Sequence, residues 1–98
     1  MLVLVFAVAC GSDSDPMGSD EGCTDYSVAL CNRAAECTGE PPGPCFGAAV
    51  SECCAQFGCV PGDDAFTTGE LAACESALAT AACRGESVDI PAACSPFH

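Results

Sequence analysis

Eleven cysteines in a chain of 98 residues restrict what this protein can fold into more than any other feature of its sequence. Cysteine at this density is typical of a small domain held together by disulfides, and disulfides persist in oxidising compartments. A domain of this size buries too little apolar surface to be stable without such cross-links. We therefore expect an exported, disulfide-bonded domain. All cysteines but Cys10 follow residue 22, and these ten are the predicted structural disulfide cysteines: Cys23, Cys31, Cys37, Cys45, Cys53, Cys54, Cys59, Cys74, Cys83 and Cys94.

The chain begins with an apolar run that stops at Cys10. Residues 1–9, Met-Leu-Val-Leu-Val-Phe-Ala-Val-Ala, carry no charge and are too few to span a bilayer. Their composition and the small residues before Cys10 fit the apolar region and cleavage site of a signal peptide. We interpret residues 1–9 as a signal peptide remnant.

The segment Ala7-Val8-Ala9-Cys10-Gly11 resembles the lipobox of bacterial lipoproteins. This resemblance implies that Cys10 is acylated, that the preceding peptide is removed, and that the lipid anchors the protein to a membrane. It also implies the outer membrane, because relatives kept at the inner membrane tend to have aspartate where Gly11 stands. The composition further resembles small, cysteine-rich, helical bacterial lipoproteins, which generally lack an assigned activity.

The odd number of cysteines agrees with acylation of Cys10. If lipid occupies that sulfur, ten cysteines remain and all of them can pair. The alternative is that residues 2–9 form an ordinary buried strand or helix and that Cys10 is a disulfide partner.

Residues 10–22 predict a flexible, acidic tether between the lipid and the domain. They are rich in glycine, serine and aspartate and nearly devoid of apolar side chains. The cysteine-rich helical domain is then expected to occupy residues 23–98.

Three helices are predicted in this domain. The first covers about 25–37, and the second covers 45–57, with Gly58 as the left-handed residue after its end. The third begins at a capping box formed by Thr67 and Glu70 and ends at Arg84-Gly85. Alternating β-branched runs are nearly absent, and residues 86–98 have an irregular pattern. The expected fold is all-α: a small three-helix, disulfide-bonded domain with an irregular C-terminal tail.

Cysteine spacing on the first two helices predicts part of the disulfide pattern. Cys23 and Cys31 are eight residues apart, and so are Cys45 and Cys53. Eight helical residues rise about 12 Å, so two antiparallel helices can form both bridges with one helix spacing. The predicted bridges are Cys23–Cys53 and Cys31–Cys45.

Cys54 needs a partner on another element. It lies about 100° further round the helix than Cys53. A bridge between these adjacent residues needs a strained ring that a helical backbone does not allow. We expect Cys54 to bond to Cys74 in the third helix, with Cys94 in the tail as the second choice. The partners of the remaining cysteines stay open: Cys37, Cys59 and Cys83.

Composition argues against several functional classes. Fourteen acidic residues face two basic ones, for a net charge of −12, which disfavours nucleic-acid binding. The one histidine is His98, the last residue, where it is poorly placed to act as a catalytic base. There is no Cys-x-x-Cys redox motif, and only Cys54 and Cys59 have the spacing of a zinc knuckle. The sequence therefore predicts no enzyme, no catalytic or metal-binding residues and no cofactor.

Two non-enzymatic functions remain open. The first is a membrane-anchored, exported structural or protein-interaction module whose protein partner is unknown. The second is a carrier of a small apolar ligand, since the Cys53-Cys54 doublet resembles that of plant lipid-transfer proteins, although the Cys-x-Cys that should follow is missing. The large apolar side chains are about as many as a solid core needs, which favours the first function. An enclosed apolar cavity above about 300 Å³ would favour the carrier.

Overall fold

The computed structural model describes residues 15–85 and 87–98. The signal peptide remnant and Cys10, both predicted within residues 1–14, lie outside the described residues. The described chain is mostly helical and is cross-linked by five disulfides. Three α-helices are followed by one 3-10 helix: α1 (Ser19–Thr38), α2 (Gly43–Phe57), α3 (Thr68–Leu78) and the 3-10 helix Ala92–Phe97. Four strands of two residues form two antiparallel pairs, β1 (Pro16–Met17) with β2 (Phe66–Thr67) and β3 (Cys83–Arg84) with β4 (Ser87–Val88).

Helices α1 and α2 form the predicted hairpin. Helix α1 ends at Gly39, which has a left-handed φ of 79° and donates its N–H to the Ala35 carbonyl at 2.7 Å. Pro41 and Pro42 follow after Glu40, and Pro44 lies in the first turn of α2, where its missing N–H is not needed. Helix α2 ends as predicted, with Gly58 at φ 92°.

Helix α1 begins earlier than the sequence predicted, so two predictions are corrected. The helix starts at Ser19 rather than near residue 25, and the flexible tether assigned to 10–22 is wrong over 16–22. Met17, Ser19 and Gly22 are buried in the domain. Small and acidic residues suggested a tether, yet acidic residues suit the first turn of a helix because they face the positive end of its dipole.

Helix α3 begins as predicted and ends sooner. The Thr67 hydroxyl accepts the Glu70 N–H at 3.1 Å, and the Glu70 carboxylate accepts the Thr67 N–H at 2.9 Å, which completes the capping box. The predicted end at Arg84-Gly85 is wrong, because the helix stops at Leu78. Beyond it, the Ala81 N–H donates to the Leu78 carbonyl, three residues back rather than four, and the carbonyls that follow bond to residues outside the helix. Arg33 Nε donates to Ala81 O, and the Asp89 N–H donates to Ala82 O, each at 2.8 Å.

The C-terminal residues form regular elements where the sequence predicted an irregular tail. Strand β4 pairs with β3 across a turn at Gly85, whose φ is 61°. The 3-10 helix then carries Cys94 and Phe97 into the core, and both are fully buried. The all-α prediction therefore describes the domain coarsely and misses its short strands and its last helical element.

Aromatic rings and disulfide sulfurs form the core between α1, α3 and the 3-10 helix. The Phe97 ring lies 4.3 Å from Phe66 and 5.3 Å from Tyr26, centroid to centroid, and stacks nearly parallel to Tyr26. Phe57 meets Phe66 edge-on at 4.9 Å. Four cysteines are also completely buried: Cys23, Cys31, Cys74 and Cys94.

Two helical glycines, Gly22 and Gly47, have opposite surroundings. A Cβ added at Gly22 would overlap the ring of Phe66, which is itself 2% exposed and enclosed by other aromatic rings. A Cβ added at Gly47 would meet no atom within 4 Å. Glycine at position 22 therefore allows α1 to approach the aromatic core closely.

We expect Gly22→Ala to destabilise the protein by about 1–3 kcal/mol, because overpacking against Phe66 outweighs the better helix propensity of alanine. Gly47→Ala is the matched control and should stabilise by about 0.5–1 kcal/mol, since its methyl group points into open space. Denaturant unfolding of the oxidised variants, followed by circular dichroism, measures both effects. If both substitutions stabilised the protein, the close packing of Gly22 on Phe66 would be wrong.

Candidate functional site

The five disulfides use all ten cysteines of the described residues. Their Cα–Cα distances range from 4.5 to 5.7 Å. Cys10, the predicted lipidation residue, lies outside the described residues and has no cysteine left to pair with within this chain. The pairs are Cys23–Cys53, Cys31–Cys45, Cys37–Cys83, Cys54–Cys59 and Cys74–Cys94.

Both predicted bridges between α1 and α2 are present. Cys23 bonds to Cys53 with Cα atoms 5.6 Å apart, and Cys31 bonds to Cys45 with Cα atoms 5.7 Å apart. Equal spacing on two antiparallel helices is sufficient to explain this pattern.

The predicted Cys54–Cys74 bridge is wrong. Cys54 bonds to Cys59 within its own segment, and Cys74 bonds to the second choice predicted for Cys54, Cys94. The reason is the left-handed turn after α2: Gly58 at φ 92° and Cys59 at φ 50° bring the chain back onto the last turn of the helix. Gly58 was the signal for this turn in the sequence, but its effect on the direction of Cys59 was not predicted.

Three sulfurs from two disulfides lie together beneath this turn. The Sγ atoms of Cys23, Cys54 and Cys59 are all within 4.8 Å of one another. We call the buried Cys23–Cys53 bond the inner disulfide, the Cys54–Cys59 bond the outer disulfide, and the two together the sulfur cluster. The inner disulfide joins α1 to α2, whereas the outer disulfide joins two cysteines that are only 5 positions apart in the sequence.

An acidic clamp holds the loop that follows the outer disulfide against the start of α1. The Asp63 carboxylate accepts the Ser19 N–H and the Ser19 hydroxyl, both at 2.6 Å. The same hydroxyl accepts the Val60 N–H at 3.2 Å. Hydrogen bonds from the Ser19 hydroxyl, and then from its N–H, lower the pKa of Asp63, as expected for a carboxylate at a helix N-terminus. The sequence does not predict this contact, since the two residues are 44 positions apart.

The sulfur cluster is also the place where the described residues come nearest to a metal-ligand arrangement. Zinc and other soft metals bind cysteine as the thiolate. Cys23, Cys54 and Cys59 are all engaged in disulfides, so in this oxidised form they offer no thiolate. His98, the other residue with ligand or base chemistry noted in the sequence, is exposed at the end of the chain.

An apolar groove lies between α1, α2 and the second strand pair. Its volume is about 430 Å³, and it is open to solvent rather than enclosed. It therefore differs from the closed cavity that a carrier of an apolar ligand would need. The residues that line it are Leu30, Ala34, Cys45, Ser87, Val88 and Ile90.

No family model matches this chain, and neither a curated protein nor a solved structure is similar to it. Of the described residues, none forms a helix with the length and hydropathy that a bilayer span requires. Five disulfides in so short a chain are typical of a protein that folds in an oxidising compartment outside the cytosol.

Proposed function

We propose that this protein is an exported lipoprotein, anchored to a membrane through lipid on Cys10. The observation that supports this most is the complete pairing of the other ten cysteines. An exported protein with an odd cysteine needs a use for it, and the remaining cysteine is the one in the lipobox-like segment Ala7–Cys10. Under this proposal we expect the outer membrane, because lipoproteins kept at the inner membrane tend to have aspartate where Gly11 stands.

The domain acts as a structural or protein-interaction module under this proposal. Its charge of −12 favours solubility and disfavours nucleic acid as a partner. The core is filled by side chains such as Phe97 and Leu78, both nearly or fully buried. The carrier function is the second candidate and has weaker support, because the apolar groove is open.

Radiolabelled palmitate tests the anchor. In bacteria expressing the protein from its natural start, we expect label in the wild-type protein and none in Cys10→Ser, because serine offers no sulfur for the lipid. The variant should also move from the membrane fraction to the soluble fraction, and circular dichroism should show it folded, since no disulfide of the domain is altered.

A second variant controls for the number of cysteines. Cys10→Ser combined with Ser14→Cys keeps eleven cysteines and places the odd one directly after Asp13, where no run of small residues precedes it. We expect this variant to remain unlabelled. Label that survives Cys10→Ser, or that returns with Ser14→Cys, would contradict lipidation at Cys10.

A further inference from the structure

The sulfur cluster places two disulfides of unequal accessibility side by side. In the inner disulfide Cys23 is 0% and Cys53 is 3% exposed, whereas both sulfur-bearing residues of the outer disulfide are partly exposed. The Sγ atoms of Cys54 and Cys59 each lie within 4.8 Å of Cys23 Sγ. A thiol in solution can therefore reach the outer disulfide, and either sulfur it releases lies beside the inner one.

The backbone at Cys59 adds a second observation. Its φ of 50° is in the left-handed region, which non-glycine residues seldom adopt and which is often found at functional sites. The residue is held there by the outer disulfide, directly after Gly58 at φ 92°. The disulfide is one of the contacts that fix Cys59 in a conformation that non-glycine residues seldom adopt, so opening the bond lets the residue relax.

We propose that the sulfur cluster is a thiol–disulfide exchange site, through which a dithiol reductant that attacks the outer disulfide also opens the buried inner disulfide. This inference is independent of the lipid anchor. It assigns a reactive site to cysteines that otherwise have only a structural role.

The exchange proceeds in three balanced steps. A thiolate of the dithiol attacks Cys59 Sγ, forms a mixed disulfide there and releases the Cys54 thiolate. The Cys54 thiolate attacks Cys23 Sγ, so that a Cys23–Cys54 bond forms, the Cys23–Cys53 bond breaks and Cys53 leaves as a thiolate that takes a proton from water. The second thiolate of the dithiol then attacks its own sulfur in the mixed disulfide, and Cys59 leaves as a thiol. The dithiol has lost two electrons, and the protein holds one new disulfide and two thiols.

The structure provides for the released sulfur. Cys53 Sγ lies 3.7 Å from the Phe97 carbonyl oxygen, which can accept a hydrogen bond from the thiol formed there. Cys53 and Phe97 belong to the same buried cluster, so the inner disulfide borders the aromatic core. Exchange that begins at the partly exposed outer disulfide therefore reaches the cross-link between α1 and α2.

The buried Cys74–Cys94 disulfide serves as an internal control. Both of its cysteines are 0% exposed, as buried as the inner disulfide. Among the described residues they belong to no group of three close sulfurs. The rate at which Cys74–Cys94 opens therefore measures how often global unfolding exposes a buried disulfide. If the inner disulfide opens at a higher rate, the excess measures exchange within the sulfur cluster.

The experiment follows both bonds during mild reduction. The folded protein is treated with dithiothreitol, an uncharged dithiol that the acidic surface does not repel, then quenched with iodoacetamide and mapped by mass spectrometry. In the wild type we expect the inner disulfide to open at least about tenfold faster than Cys74–Cys94, because an internal thiolate attacks it without unfolding. In the double variant Cys54→Ser/Cys59→Ser the two bonds should open at similar rates. Equal rates in the wild type, or an unchanged fast rate in the double variant, would overturn the proposal.

Cys59→Ser provides a test that needs no reductant. This variant leaves Cys54 as a permanent thiol beside the inner disulfide, so we expect alkylation to trap the free thiol on Cys53 as well as on Cys54 at mildly alkaline pH. Alkylation of Cys54 alone, in protein that keeps Cys74–Cys94 intact, would also overturn the proposal.

Discussion

We expect reduction of all five disulfides to unfold this domain under otherwise native conditions. The bonds close separations of 5 to 46 residues, and such loops contribute on the order of 2–4 kcal/mol each by restricting the unfolded chain. A domain of this size is typically stable by only about 5–15 kcal/mol in total. Loss of several cross-links therefore exceeds what its small aromatic core supplies.

Far-ultraviolet circular dichroism and thermal melting measure this effect on fully reduced, alkylated protein. The control is protein treated with iodoacetamide without reductant, which should keep its helices and its cooperative melting. A reduced sample that retained native helicity and a cooperative transition would contradict the expectation.

Two paired serine variants separate the loop effect from loss of core packing. Cys37→Ser/Cys83→Ser removes the disulfide that closes the longest loop, with a sequence separation of 46, and Cys83 is exposed at this site. Cys54→Ser/Cys59→Ser opens the shortest, 5 residues. The loop model predicts losses of about 4 and about 2 kcal/mol, respectively. A larger loss for the short loop would show that packing or strain, and not loop closure, dominates.

The sequence predicted those parts of the fold in which one local rule decides the outcome. Equal spacing of cysteines on α1 and α2 was enough for two of the disulfides. The capping box at Thr67 and the left-handed Gly58 were recognised from local residue patterns. Each of these features depends on neighbours within one or two helical turns, or on matched periods between adjacent helices.

The parts that were missed depend on contacts between distant residues. Ser19 starts α1 because its N–H and hydroxyl bind Asp63, and no local pattern in an acidic, glycine-rich segment predicts that partner. Helix α3 stops at Leu78, and carbonyls of the segment after it bind Arg33 and the Asp89 N–H, partners that a helical pattern does not predict. The sulfur cluster was missed for a related reason, because the bond from Cys54 depends on the direction in which Cys59 leaves the turn.

Phe97 is the clearest example of a residue whose position depends on contacts with distant parts of the chain. It is next to the last in the chain, within a stretch whose pattern predicts an irregular tail, yet it is 0% exposed. Its ring contacts Phe66 from β2 and Tyr26 from α1. The 3-10 helix positions this ring, and the Cys74–Cys94 bond fixes that helix to α3.

We therefore expect Phe97→Ala to destabilise the oxidised domain by about 3–5 kcal/mol, since truncation of a fully buried phenylalanine removes its contacts and leaves a cavity. Phe46→Ala is the matched control: it makes the same chemical change on α2, where Phe46 is only partly buried and lies outside the central cluster. Denaturant unfolding with the disulfides intact measures both variants, and Phe46→Ala should cost clearly less. Equal losses would mean that the C-terminal residues do not complete the core. A large loss at Phe97 alone would show that the aromatic cluster depends on the last residues of the chain. The disulfides hold these residues in place, but they do not supply the stability that the Phe97 ring contributes.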